Sequence, residues 1–479
     1  MAVSTDGTRT RVSELALRSL EKALDGELIR PGDHGYDQAR AVWNGMIDRR
    51  PALIARCRGV GDVVAAVNFV RDTGMGFSVR GGGHNVAGTA VCDGGLVVDL
   101  SQMTAVDVDP LSNTVRAEAG ALLGDLDRAT QAHGLAVPAG TVSETGIAGL
   151  TLGGGMGWLS RRYGLTCDNV IGVDMVMADG TIVRVTDESD AHLMWGLRGG
   201  GGNFGIVTSF TYRAAKVGPS VLAGLVLHPI DSAKEFLEFY ADFAARAPDE
   251  LTTIAVIRVM PPVPSVPREL HGVPVAGTGV CYVGDIEEGE RLLQPLRDFG
   301  SPLSDTIALT PFVEHQAVFD EGVPSGHRYY EKSEYLPPLT SDLIDTLVDH
   351  GNQVRSPYAF VGLFQLGGAV SRVGEQDSAY TRRDAAFSLV ISAGWQHPGE
   401  DADNVEWVRT FWGAVKPHAV GGVYVNFMSH DETHDRVVEA YGRDKYRRLV
   451  SLKDKFDPEN LFRLNQNIVP SDWKDGIPA

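Results

Sequence analysis

Three glycine clusters constrain this chain more than any other feature: Gly81-Gly82-Gly83, Gly153-Gly154-Gly155 and Gly199-Gly200-Gly201-Gly202. Residues without a Cβ let backbone lie directly against other backbone or against a ligand. The first cluster follows a short strand-like segment, residues 77–80, and opens into His84 and Asn85. Such a turn exposes successive N–H groups as an anion-binding nest, with Arg80 adding charge and His84 at the mouth. A tight turn carrying an ordinary surface histidine fits the same letters.

The second cluster runs on through Met156, Gly157 and Trp158, and is preceded by Pro138-Ala139-Gly140-Thr141, Gly146 and Gly149. This run of small residues leaves room for a flat, bulky group, or for close backbone packing. The third contains G-x-G-x-x-G at Gly200, Gly202 and Gly205. A nucleotide-binding Rossmann turn goes strand, glycines, helix. Here a helical pattern at 190–197 precedes the glycines and a strand at 206–210 follows, so a nicotinamide cofactor is rejected.

Length and charge set the remaining bounds. A chain of 479 residues exceeds one ordinary core, so two domains or more are expected. Its 43 Lys+Arg against 62 Asp+Glu leave a formal net charge of -19, a field that repels nucleic acid and anionic membranes. No window approaches the ~18 consecutive apolar residues of a membrane span. Residues 1–10 are polar and lack a signal-peptide pattern, so cytoplasmic residence is expected. Cys57, Cys92, Cys167 and Cys281 form no C-x-x-C, the histidines form no H-E-x-x-H, and a metal is not indicated.

Apolar spacing predicts helices over 12–24, 63–72 (capped by Asp62) and 122–132, with strands at 77–80, 96–100, 106–108, 114–117, 170–178, 181–185 and 206–212. From about residue 216 the glycine runs vanish. Helices at 232–245, 287–299, 341–352 and 404–415 then alternate with strands at 222–227, 253–259, 279–283, 360–366 and 387–393. That texture predicts an antiparallel sheet with one face covered by helices.

Taken together, the segments resemble the berberine-bridge-enzyme-like oxidases of the vanillyl-alcohol-oxidase superfamily. The matching residues are Arg80-Gly81-Gly82-Gly83-His84, Pro138-Ala139-Gly140, Gly153 through Gly164-Leu165 to Asp168-Asn169, Gly199 through Gly205, Tyr424-Val425-Asn426-Phe427, and Asp457-Pro458 through Asn465-Gln466-Asn467. The resemblance implies an α/β (α+β) fold. A two-part FAD-binding domain, residues 35–215 completed by 420–470, would accompany a substrate domain, 216–419.

The resemblance further implies FAD bound covalently through His84. It places Arg80, Gly81, Gly82, Gly83, Asn85, Pro138, Gly140, Thr141, Gly146, Gly149, Gly153, Gly154, Gly155, Gly157, Trp158, Asp168, Asn169, Gly202, Gly205, Ile206, Val207, Tyr424, Asn426 and Asn467 at the cofactor. A neutral imidazole is a competent nucleophile toward the electrophilic form of the flavin 8α-methyl group. Relatives with a second, cysteinyl attachment carry it where this chain has Val142, which cannot make that bond. Cys167 is read as packing. Thr145 occupies the gate that influences oxygen access, or serves as a turn or helix cap.

Phe427 stands where sugar-oxidising relatives have a tyrosine base, and a phenyl ring accepts no proton. Tyr424 and Asn426 are therefore expected beside the flavin. The substrate domain offers Tyr282, Arg258, Gln365, Tyr330 and Glu334 as candidate catalytic groups. The expected activity is oxidation of a small organic substrate, an alcohol or a secondary-metabolite intermediate, with molecular oxygen reoxidising the flavin. Amine oxidation of the nicotine-oxidising kind, flavin oxygenation in polyketide tailoring, and a flavin-binding module without turnover are the alternatives.

Overall fold

The computed structural model describes residues 2–3, 9–10 and 12–473; most of the polar stretch 1–10 lies outside them. Three sheets organise the chain. The first is mixed, in the order β1 (Glu27–Ile29), β2 (Leu53–Arg56), β4 (Leu96–Asp99), β3 (Phe77–Arg80), with β2 and β3 both parallel to β4. The second is antiparallel, in the order β8 (Ile182–Val185), β7 (Val170–Val176), β9 (Ile206–Arg213), β6 (Thr114–Glu118), β5 (Val106–Asp109).

The third sheet has eight antiparallel strands. Its main path is β13 (Ser304–Asp305), β10 (Ser220–Pro229), β12 (Pro274–Tyr282), β11 (Leu251–Val259), β16 (Phe360–Gln365), β17 (Phe387–Trp395), β15 (Arg328–Leu336), and β14 (Ala308–Pro311) also pairs with β10. The helices Ala233–Arg246, Ile286–Asp298, Ser341–Gly351 and Asp401–Val415 bury Phe236, Leu293, Leu347 and Phe411 in one cluster with Leu251, Ala255, Ile257 and Ile391 from the strands. Because side chains alternate across a strand, the residues between these face the other way, toward the glycine-rich half.

Register lines up that opposite face. Glu331 on β15 pairs with Ser392 on β17, Ser392 with Phe360 on β16, and Phe360 with Arg258 on β11, giving one row across four strands. The next row holds Ser333, Val390, Gly362 and Val256, and the third Tyr335, Ser388, Phe364 and Ile254.

The C-terminal segment returns to the glycine-rich half. Its residues Val423, Leu449, Leu452, Phe462 and Ile468 share one buried cluster with Val98, Phe210 and Trp195. The buried Lys453 ammonium donates to the carbonyls of Asn203 and Phe462, both at 2.9 Å, and pairs with Asp457 at 2.7 Å. No helix among the described residues is long and apolar enough to cross a membrane.

Most expected elements stand within a few residues of their predicted bounds. Asp62 is a correction: the helix Val60–Thr73 starts earlier with Gly59 as its cap, and the buried Asp62 carboxylate instead accepts the N–H groups of Asp25 and Arg58, each at 2.7 Å. The strand Arg328–Leu336 was not foreseen from the sequence.

Candidate active site

A cavity of about 330 Å³ lies between the glycine segments and the inner face of the third sheet. One wall is backbone: Gly81, Gly82 and Gly83 at the end of β3, Gly146 and Gly149 at the helix Ile147–Gly153, and Gly201, Gly202 and Gly205 before β9. Gly82 and Gly146 meet there without side chains between them. The facing wall is apolar, made by Phe360, Phe364 and Val390 from the sheet and Phe427 from the C-terminal segment.

His84 stands between the two walls. Its ring stacks on Trp43, with centroids 4.4 Å apart and planes at 18°, and Trp43 stacks in turn on Tyr329 at 3.8 Å and 13°. The Trp43 indole N–H is held by the Val323 carbonyl at 2.9 Å. Next to it, the Asn44 amide donates to the carbonyls of Val86 and Tyr329 at 2.7 and 2.9 Å, joining the His84 loop to β15. The His84 Nε2 is shut off from solvent and has no hydrogen-bond partner. Burial lowers the imidazole pKa to about 4, with a hydrogen bond to its own backbone opposing, so the ring is neutral at physiological pH.

The expected residues that line this cavity are His84, Gly81, Gly82, Gly83, Asn85, Gly140, Thr141, Thr145, Gly146, Gly149, Gly202, Gly205, Ile206, Val207, Tyr424 and Asn426. Thr145 caps no helix; Gly146 holds that position for Ile147–Gly153. The Tyr424 hydroxyl accepts from the Gly155 N–H and from the Asn426 amide, both at 2.8 Å, while that amide also donates to the Leu150 carbonyl at 3.1 Å.

Other expected site residues sit elsewhere, each for a visible reason. Arg80 turns back to the Ala39 carbonyl. Pro138 is buried beneath its turn. Gly153, Gly154 and Gly155 are packed by Asn426, Tyr380 and Thr166, and Gly157 by the Ala139 carbonyl, so these glycines serve close packing. Trp158 is 1% exposed in an apolar cluster and lies against His315 and Phe319. Asp168 is ion-paired with Arg383 at 2.6 Å, and the Asn169 amide caps the carbonyls of Tyr163 and Leu165. Asn467 falls outside the lining, though its Oδ1 is buried without a partner. Cys167 is buried against Tyr380 and Tyr424.

The catalytic candidates expected between residues 216 and 419 mostly lie away from this cavity, because strand parity puts them on the helix-covered face. The Tyr330 hydroxyl donates to Asp431 at 2.7 Å, and Glu334 is bound by Trp412 and Arg436. Gln365 is bound by Thr253 and donates to the Ala244 carbonyl, and Tyr282 packs into the helix-side cluster. Arg258 is on the inner face but outside the cavity lining, its guanidinium carbon 5.9 Å from the Phe360 ring centre. Sequence reasoning missed Trp43, Phe360, Phe364, Val390 and Glu331. Glu331 is 8% exposed, lines the cavity, and carries a carboxyl raised by burial to about 7.

This arrangement has the shape of a cofactor site, and comparison with known proteins says which cofactor. Residues 51–186 match the family described as FAD binding domain, and residues 423–469 the one described as berberine and berberine like. An FAD-linked oxidoreductase of Dictyostelium discoideum is 33% identical over 454 residues, 94% of this chain and 96% of that one. The (R)-6-hydroxynicotine oxidase of Paenarthrobacter nicotinovorans is 30% identical over 459 residues, 94% of this chain and 97% of that one. The crystal structure of 6-hydroxy-D-nicotine oxidase from Arthrobacter nicotinovorans superposes with a TM-score of 0.84 at 28% identity, covering 93% of this chain and 98% of that one.

The chain belongs to the berberine-bridge-enzyme-like FAD-linked oxidoreductases. It is an FAD-dependent oxidase, and its cavity fits the cofactor. Besides the glycine wall, three buried polar atoms of its lining residues lack partners among the described residues: His84 Nε2, the Tyr441 hydroxyl and Asn465 Oδ1. Buried polar groups are rarely left in that condition without a ligand or water to complete them.

Proposed function

We propose that the chain carries FAD through a single covalent bond from His84 to the flavin 8α carbon. It then oxidises a small, largely apolar alcohol or secondary-metabolite intermediate, with molecular oxygen as the final acceptor. The observation that carries this reading is the His84 Nε2: a neutral, buried, unpartnered nucleophile between a glycine wall and an apolar one. Val142 lines the same cavity where a second attachment would need a sulfur, so the link is single.

When bound, the flavin supplies the two-electron oxidant, accepting a hydride from the substrate carbon. The chain's own residues do the rest. Trp43 fixes the plane of the His84 ring. Backbone at Gly81–Gly83, at Gly146 and Gly149, and at Gly201, Gly202 and Gly205 would receive the dinucleotide. Phe360, Phe364, Val390 and Phe427 exclude water from the reacting face and orient an apolar substrate.

Amine oxidation is the second reading, supported by the nicotine-oxidising relatives and by Phe427, since an amine lone pair assists hydride loss without a strong base. Cytoplasmic residence belongs to the proposal, and the four free, buried cysteines support it. Anaerobic titration of the yellow protein with apolar alcohols and amines tests the function. Flavin bleaching restored by air with peroxide release is the expected result. A flavin that no member reduces would point to a binding module instead.

A further inference from the structure

We propose that Glu331 is the acid–base residue of this site, and that it selects a ring-shaped, apolar substrate bearing one O–H or N–H group on the carbon to be oxidised. The inference rests on the reading that flavin occupies the cavity beside His84.

Glu331 belongs to the inner row of the sheet with Ser392 and Phe360, and it lines the same cavity as Trp43, Val323, Phe364, Val390 and Phe427. Its Oε1 accepts one hydrogen bond, from the Ser392 hydroxyl at 2.9 Å, and its other oxygen has no protein partner among the described residues. The backbone around it is pinned by Ser429, whose hydroxyl bridges the Glu331 N–H and C=O at 3.1 and 2.8 Å. A carboxyl held rigidly in an apolar pocket with half of its acceptor capacity open is arranged to meet a donor from a ligand.

Among the described residues no cation is paired with it. Lys332 points through the sheet to Asp431 and Glu432, and Arg436 to Glu334 on that same far side. Arg258 shares the Glu331 row three strands away, roughly 14 Å at ordinary strand spacing. Around the cavity the other titratable or charged groups are Tyr329 on the same strand, with Glu144 acting on it, His84 on the glycine loop, and Tyr424, Tyr441 and Arg463 on the C-terminal segment, while the influences on the Glu331 carboxyl itself are burial and the Ser392 hydroxyl. Burial therefore governs the carboxyl and holds it near 7, the range where a group serves as base and acid at neutral pH.

The alternatives on the page are occupied. The Tyr424 hydroxyl is committed to Gly155 and Asn426, and burial drives its pKa up. Phe427 has nothing to titrate. A single open carboxyl among aromatic rings also leaves a polyhydroxylated sugar without partners for most of its hydroxyls. The bond changes balance with the flavin as oxidant. The O–H or N–H proton goes to the Glu331 carboxylate, the adjacent C–H hydrogen leaves with its electron pair to the flavin, and a C=O or C=N bond forms.

The test uses the flavin-loaded protein, with Glu331→Gln and Glu331→Asp, titrated between pH 5 and 9 with benzyl alcohol, benzylamine and benzoate. Flavin absorbance reports both binding and anaerobic bleaching. Benzoate, an anion throughout, is expected to bind below about pH 7 and to be lost above it. Bleaching by the alcohol or the amine rises through the same pH and identifies which donor is preferred. In Glu331→Gln the pH dependence disappears and bleaching falls on the order of 100-fold, while Glu331→Asp keeps the pH dependence. A wild type that binds no ring probe, or a glutamine variant with unchanged pH dependence, overturns the inference alone. A protein that carries no flavin overturns the underlying reading as well.

Discussion

Gly82 and Gly146 touch backbone to backbone: a Cβ on Gly82 would stand 2.5 Å from the Gly146 nitrogen, and one on Gly146 2.3 Å from the Gly82 nitrogen. The contact locks two glycine segments into one wall, two residues from His84. Main chain cannot swing aside as a side-chain tip does, so the Gly82→Ala protein must part the segments. The expected loss is about 1–3 kcal/mol of stability, with most of the flavin absent after purification. Gly413→Ala is the control, because nothing lies within 4 Å of a Cβ there and the residue sits in the helix Asp401–Val415, outside the cavity lining; its melting temperature is expected to stay level or rise. Differential scanning fluorimetry with absorbance at the flavin band reads both.

Lys453 and Asp457 are both 0% exposed and tie the C-terminal segment to Asn203 in the third glycine loop. Lys453→Met leaves the Asp457 carboxylate buried without its cation, a change that costs about 3–5 kcal/mol. Urea unfolding is expected to show that loss, with flavin release at lower denaturant than in the wild type.

Trp43 holds the plane of the His84 ring by stacking. Trp43→Leu keeps apolar volume but removes the stack, which is worth about 0.5–1.5 kcal/mol. Covalent incorporation of FAD into apoprotein, followed by the fraction of flavin that stays with acid-precipitated protein, is expected to slow by up to about tenfold. An unchanged rate would show that the ring is positioned by other contacts.

The pH dependence of stability isolates Glu331. Its carboxyl titrates near the ordinary 4.5 when unfolded and near about 7 when folded. The folded protein thus holds this proton more tightly, so the contribution is complete below pH 4.5 and is lost as pH rises through 7. Glu331→Gln has no such loss and can still accept from Ser392. The variant is expected to match the wild type at pH 4 and to exceed it at pH 8 by on the order of 3 kcal/mol. Asp127, also raised to about 7, and His84 and His315, lowered to about 4 and about 3, are common to both proteins and cancel in the difference.

The glycine wall and His84 were legible because close backbone approach demands a residue type that leaves a mark in the sequence. The antiparallel sheet was legible through apolar strands such as Phe387–Trp395. Its inner face was not. Along Arg328–Leu336 both parities mix polar and aromatic side chains, Tyr329, Glu331, Ser333 and Tyr335 against Tyr330, Lys332, Glu334 and Leu336, so no alternation says which set faces the flavin. With no strand expected there, Tyr330 and Glu334 stood out by residue type alone and Glu331 was passed over. Register with β17, itself paired to β16, decides the parity, and a pairing between strands far apart in the chain has no local signature. Likewise, Trp158 and Gly153–Gly157 carry the small-residue pattern of a ligand cradle, yet Asn426, Tyr380 and Ala139 fill the space from distant parts of the chain.

Intact mass of the purified, denatured protein tests the covalent His84 link most directly, with His84→Ala beside it. The expected result is a wild type heavier than its polypeptide by one FAD, yellow after acid precipitation, and a variant of bare polypeptide mass that releases any flavin it holds. A wild type of bare mass, with all flavin left in the acid supernatant, would contradict the account.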